Sequence, residues 1–285
     1  KAGNGDLTIG GGSLRGVICD AGVKASGGAA KIGETPAVIS NAVGKGKAIL
    51  LNFSLKGYLT PVKQEGAEFA GWNEGAPYRE FFGGLLKAAG VAPQVTVTPE
   101  APRVEVSRFA QGGAEYVGII QGLPLDPLYY TNHPEAQLQA RAVTIKLPQK
   151  RHVYDVRAGK YLGETASVAA KLTPGIAQLY ALLPYKLDGV TVAAPAQAGA
   201  GQEVRYEVKL GMKGKAADHV LRVQVFGPDG KERPWYAANV LCEGGTASGK
   251  MQLALDDAAG AWKIVATDVA TGVRGTAGVK VGNRE

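Results

Sequence analysis

The chain has 285 residues, 45% of them hydrophobic and 20% charged, with a formal net charge of +7 and a pI near 9.3. That balance supplies apolar residues for real cores and excludes disorder as the default, while the length allows two or three domains. The excess positive charge is scattered over Lys45 and Lys47, Lys150 and Arg151, Lys213 and Lys215, Arg233 and Arg274, so no basic stripe marks a nucleic-acid partner.

The 41 glycines are about twice the usual share. Many stand singly or in pairs between short alternating apolar runs, as hairpin turns require, which makes a mainly β protein the natural reading. Cys19 in "GVICD" and Cys242 in "NVLCE" sit among aliphatic residues, as small buried hydrophobes do, and a disulfide is not expected. No apolar run approaches the roughly 18 residues of a membrane span. The start "KAGNGDL" lacks a signal-peptide pattern and an initiator methionine, and reads as a processed product or a fragment.

Residues 1–98 form a first segment that reads as a partial α/β unit. Ala48 to Phe53 is an apolar run broken only by Asn52, the pattern of a strand buried on both faces. Further on, Pro77 suits a first helical turn, Tyr78, Phe81, Phe82, Leu85 and Leu86 recur at helical spacing, and Gly90 can close the helix. Residues 99–188 contain no convincing helix. "RVEVSRF" and "AEYVGIIQ" flank "AQGG" as a hairpin, "AVTIKLP" alternates Val143, Ile145 and Leu147 with polar residues, and "AQLYALLPY" closes an antiparallel β-sandwich domain.

Residues 189–285 open on the linker-like "VAAPAQAGAGQ". "EVRYEVKLGM" then sets Val204, Tyr206, Val208 and Leu210 on one face and Arg205, Glu207 and Lys209 on the other. About seven short strands with turns at "PDG", "DDAAG" and "DVATG" predict an immunoglobulin-like sandwich. The fold class expected is therefore mainly β and multidomain: a partial α/β segment followed by two antiparallel β-sandwich domains.

Catalytic chemistry needs side chains that can converge in space. Glu65 with Glu68, Glu74 with Glu80, and Asp256 with Asp257 are the nearest paired carboxylates, but the last two residues suit a turn that bonds its own backbone. "IGGGSLRG" and "GKGK" lack phosphate-loop spacing and read as β-turns. His133, His152 and His219 have no metal-ligand spacing, and His219 alternates with Leu221, Val223 and Val225 as a packed sandwich residue. "RHVYDVRAGKYLGE", residues 151–164, reads as two strands about a turn, with His152 and Tyr154 on one face and Asp155 on the other. Catalytic, metal and cofactor residues are not expected. Trp72, Trp235, Tyr236, Tyr129 and Tyr130 are the candidates for carbohydrate or partner contact, because flat aromatic faces stack on sugar C–H groups, whereas Trp262 alternates with Ile264 as core.

"GKGKAILLNFSL" with "YREFFGGLLKAAGVAP", then "VEVSRFAQGGAEYVGIIQ" and "VYDVRAGKYLG" to "LTPGIAQLYALLPY", resemble the C-terminal region of bacterial β-galactosidase-like glycoside hydrolases. There the distal part of a glutamine-amidotransferase-like trimerisation domain precedes β-sandwiches. "HVLRVQVFGPDG" and "GAWKIVATDVATG" resemble macroglobulin-type or related immunoglobulin-like modules of secreted proteins. The resemblance covers nearly the whole chain and includes no catalytic signature. The catalytic (β/α)₈ barrel it implies, about 250 residues long, has no room here.

The resemblance implies a non-catalytic assembly and support portion of a larger bacterial protein, extracellular or in the cell envelope. Its partners would be the missing upstream part of the same protein or neighbouring subunits, with polysaccharide as a further ligand. The alternatives are an extracellular structural or adhesive β-sandwich protein and a carbohydrate-binding module.

Overall fold

The computed structural model describes residues 3–26, 28–55, 60–61, 72–73, 76–100, 103–122 and 139–282. Strands dominate these residues, and they form several sheets. Two compact units divide the chain, one built on Lys1–Gln94 and the other on Val95–Leu123 with Leu138–Glu285.

In the first unit, β1 (Gly3–Ile9) and β2 (Gly12–Cys19) form an antiparallel hairpin turning at Gly10–Gly11. Next to it, β3 (Ala29–Ile32), β4 (Thr35–Val43) and β5 (Gly46–Leu51) form an antiparallel sheet in that order. The short pair β6 (Thr60–Pro61) and β7 (Trp72–Asn73) precedes α1 (Ala76–Ala88). The helix forms where the apolar spacing demands it and ends as expected. Val91 N–H reaches Leu86 C=O at 2.8 Å and Gly90 N–H reaches Lys87 C=O at 3.0 Å, with Gly90 at φ 77°, a Schellman closure. Phe81 is fully buried against Leu7, Leu14, Cys19 and Val38. Gly84 lets the helix backbone rest on the β1–β2 turn, since a Cβ there would meet the backbone of Ile9, Gly10 and Gly12.

One expectation about this unit needs correction. The run from Ala48 to Phe53 is not buried on both faces: among the described residues β5 lies at the edge of its sheet, and Leu50 is 56% exposed. Consecutive buried residues fall instead in the first half of the central β4, at Ala37, Val38 and Ile39, while its far end is exposed from Asn41 to Val43. Asn52, the polar break in the run, is itself buried and donates from Nδ2 to the Asp20 carbonyl at 2.9 Å and the Pro36 carbonyl at 2.7 Å.

The second unit begins with β8 (Thr96–Thr98), β9 (Val104–Gln111), β10 (Ala114–Gln121), β11 (Arg141–Asp155), β12 (Lys160–Leu172) and β13 (Gln178–Leu183). They make one sheet, ordered β12-β11-β13-β10-β9 with β8 against β11. The hairpin about "AQGG" forms as read, with Gln111 opposite Ala114. Val117, Ile119, Val143, Ile145, Leu147, Val153 and Leu182 fill a core on one side of this sheet.

The remaining elements are β14 (Leu187–Ala193), β15 (Gln197–Gly199), β16 (Glu203–Met212), β17 (His219–Phe226), the 3₁₀ turn η1 (Pro234–Tyr236), β18 (Ala238–Cys242), β19 (Thr246–Gln252), β20 (Gly260–Asp268) and β21 (Arg274–Gly282). They form a sandwich of a three-stranded sheet, β14-β16-β19, and a five-stranded sheet, β15-β21-β20-β17-β18. The alternation of β16 holds: Val204, Tyr206, Val208 and Leu210 are buried and Arg205, Glu207 and Lys209 are exposed. The stretch read as linker-like is not a free linker, because it supplies the end of β14 and all of β15, which pairs parallel to β21.

The core of this sandwich continues onto the preceding sheet. Tyr154, Ala181 and Leu183 belong to it, while Val153, Tyr180 and Leu182 belong to the other core. Side chains alternate across a strand, so this part of β11 and β13 is sealed on both faces by two different cores. The core of the sandwich thus extends onto one face of the preceding sheet, whose other face has a core of its own.

Candidate functional site

Among the described residues, chemistry-bearing side chains come together at a buried corner where the β lobes meet and at an exposed tip of the last sandwich.

At the corner, His219 begins β17, Asp268 ends β20, and Tyr185 lies in the connector from β13 to β14. His219 Nδ1 is 2.7 Å from Asp268 Oδ1, and His219 Nε2 is 2.8 Å from the Tyr185 hydroxyl. Asp268 Oδ2 accepts the Thr271 N–H at 3.0 Å and the Thr271 hydroxyl at 2.6 Å. The Tyr185 oxygen accepts the Ala217 N–H at 2.7 Å. A Tyr–His–Asp line has the connectivity of an acid–base relay, but the His219 and Asp268 side chains have no exposure. A relay with no surface opening cannot meet a substrate, so this one is a hydrogen-bonded core. Burial pushes the Tyr185 hydroxyl up, against the pull of the Ala217 N–H, and the Asp268 charge adds to the rise. Cys242 lies opposite His219 on β18, and burial, with Asp268 and Asp218 adding, pushes its thiol up to about 11. Such a thiol is a poor nucleophile.

His219 is the packed sandwich residue its alternation implies. Tyr185, Asp268 and Thr271 were not singled out, since 34 and 49 residues separate His219 from its two partners. The available signal was Asp268-x-x-Thr271 inside "DVATG", a spacing that lets the aspartate take the threonine's N–H and hydroxyl.

The hairpin of residues 151–164 behaves as expected. His152 and Tyr154 both face Tyr161: His152 Nδ1 lies 2.8 Å from the Tyr161 hydroxyl, and the Tyr154 and Tyr161 rings are 4.9 Å apart. Asp155 serves the turn, accepting the Ala158 N–H at 3.0 Å.

At the tip, Tyr236 and Trp235 take different roles. Tyr236 donates to Asp257 Oδ2 at 2.6 Å and accepts the Ala254 N–H at 2.9 Å, and its ring stands edge-on to Trp262, which is buried. The turn of Asp256–Asp257 bonds its own backbone as read, Asp257 Oδ2 also taking the Ala254 N–H at 2.8 Å. Arg233 lies 5.7 Å over the Trp262 ring and pairs with Asp229 at 2.9 Å. These contacts fix η1 and leave Trp235 projecting, 69% exposed. Tyr236 is therefore held in place by its neighbours, while the Trp235 ring stands exposed. Trp72 lies in β7, opposite Pro61, and its side chain is outside the described part of the structure. Tyr129 and Tyr130 lie outside the described residues. No group of three or more metal-ligating side chains occurs among the described residues.

The fold and these sites define a multidomain β protein with a sealed polar corner and an exposed aromatic tip. No family model and no curated protein matches the sequence. Among solved structures, the native α-2-macroglobulin of E. coli is similar at 10% identity and a TM-score of 0.29, over 65% of this chain and 17% of that one. Red sea bream transglutaminase is similar at 11% identity and a TM-score of 0.26, over 72% and 34%. The FMN-binding β-glucuronidase of Faecalibacterium prausnitzii L2-6 is similar at 11% identity and a TM-score of 0.25, over 59% and 32%. The chain thus spans between about a sixth and about a third of these proteins.

Proposed function

We propose that the chain is a non-catalytic, β-rich support and assembly portion of a larger secreted protein related to glycoside hydrolases, acting by burial of apolar surface between modules. The observation that carries this reading is the outer face of the β3-β4-β5 sheet. Its inner side chains Val38, Ile49 and Leu51 pack toward Phe81 and its neighbours. On the other face the register sets Ile39 opposite Leu50 and Asn41 opposite Ala48, with Val43 at the end. Leu50 is 56% and Val43 62% exposed. Ile39 on this face is buried, but Leu50 and Val43 are left exposed by the described residues, so they mark the surface that a further segment of the parent protein or a neighbouring subunit would bury.

The test is association: Leu50→Asp should abolish binding of this chain to the remainder of its parent protein or to itself. Turnover of nitrophenyl glycosides by the purified chain would overturn the non-catalytic part of the reading. A polysaccharide contact at the tip is a second reading, favoured by Trp235 standing exposed on a turn that its neighbours hold rigid.

A further inference from the structure

The buried corner contains more than its atoms need for packing, because its hydrogen bonds tie together parts of both lobes of the second unit. A tyrosine hydroxyl has one proton. The Tyr185 oxygen accepts the Ala217 N–H at 2.7 Å and still has its own proton to donate, and the acceptor it faces is His219 Nε2 at 2.8 Å. With Tyr185 donating to Nε2, a neutral ring carries its proton on Nδ1, which faces Asp268 Oδ1 at 2.7 Å as its acceptor. Asp268 receives two further donors from Thr271, whose hydroxyl oxygen accepts the Val273 N–H at 3.2 Å. Each proton in the line has one direction and one partner.

The line runs from the connector after β13 through the first residue of β17 to the last residue of β20. Around it, the Leu187 N–H donates to the Tyr154 hydroxyl at 2.8 Å and the Asp218 N–H to the Gly112 carbonyl at 2.9 Å, so both ends of the preceding sheet's hairpins are also held. A Cβ on Gly272 would lie 2.6 Å from the Gly159 Cα, which brings the turn after Asp268 against the β11–β12 turn. The titratable groups facing the corner are Tyr116 from β10, Tyr154 from β11, Cys242 from β18 and Asp218 beside His219.

We infer that Tyr185, His219 and Asp268 form an inter-lobe lock: His219, fixed as its Nδ1–H tautomer, pins the connector of residues 184–186 to β17 and β20, so that the two lobes move as one body. All three residues are buried. Their effect is to remove the hinge that a three-residue connector would otherwise provide.

Nitrogen-15 NMR of the full chain reads the tautomer: His219 should show a protonated Nδ1 and an unprotonated Nε2. The reverse pattern, or two protonated nitrogens, overturns the assignment. Amide hydrogen exchange on Tyr185→Phe reads the lock. The Ala217 and Leu187 amides should exchange about a hundredfold faster, while those in the middle of β11 and β16 change by less than about threefold. An unchanged Ala217 amide, or an equal acceleration through both lobes, would overturn the inference. If Tyr185→Phe does not fold, His219→Asn keeps a donor toward Asp268 and loses the acceptor for Tyr185. It should release Ala217 and leave Thr271 protected; loss of both together, or of neither, overturns the lock.

Discussion

Gly83 and Gly84 are adjacent in α1, and the structure assigns them opposite responses to the same substitution. Nothing lies within 4 Å of a Cβ placed on Gly83, so Gly83→Ala collects only the gain in helix propensity, about 1 kcal/mol. A Cβ on Gly84 would come within 3.1 Å of the Gly10 carbonyl oxygen and the Gly12 nitrogen, and nearer still to Ile9. Those are backbone atoms of a hairpin turn and cannot rotate aside, so the helix must lift. Overpacking of this kind costs up to about 3 kcal/mol. Set against a propensity gain of about 1 kcal/mol, Gly84→Ala should destabilise the helix seat by about 2 kcal/mol. Amide exchange along α1 is the assay. At about 1.4 kcal/mol per tenfold, exchange should slow about fivefold in Gly83→Ala and quicken about thirtyfold in Gly84→Ala. Equal protection in the two variants would refute the claim that the helix backbone rests on the β1–β2 turn.

Removing the amide of Asn52 strands the Pro36 and Asp20 carbonyls, so Asn52→Ala should cost about 1–3 kcal/mol in urea denaturation. A loss below about 0.5 kcal/mol would show that water reaches the carbonyls. Cys242 should resist thiol reagents at pH 7, where a group titrating at about 11 is ionised in only about one molecule in ten thousand. Its folded value lies above its ordinary 9.0, so the stability it contributes is complete below pH 9 and is lost as pH rises toward 11; Cys242→Ala should flatten that part of the stability profile. Trp235→Ala should leave stability within about 0.5 kcal/mol while Trp262→Ala costs about 3–5 kcal/mol, compared by thermal denaturation. If polysaccharide binds at the tip, calorimetry should show that binding abolished in Trp235→Ala.

What the sequence disclosed follows the range of the interactions involved. The helix of residues 76–88, the "AQGG" hairpin and the alternation of β16 are set by near neighbours and their own periodicity, and each was legible. The error at residues 48–53 has a different origin: an apolar run reports that two faces are suited to burial and is silent on whether anything in the same chain covers them. Gly84 looked like an ordinary residue of the amphipathic pattern, because a close backbone approach leaves no mark beyond the glycine itself. The corner was legible only in part. His219 announced its burial through Leu221 and Val223, yet its partners come from a connector and from a turn that suits aspartate for local reasons. At the tip, composition identified Trp235 and Tyr236 together, and only the hydrogen bonds of Tyr236 to Asp257 and Ala254 separate the support from the exposed ring.

Sedimentation velocity of the wild-type chain and its Leu50→Asp variant, each alone and each mixed with the remainder of the parent protein, tests the assembly claim most directly. The account predicts a complex with the wild-type chain, either with that remainder or between copies, and its loss in the variant without loss of fold. A wild-type chain that stays monomeric in both settings, or a variant that assembles as well as the wild type, would contradict it.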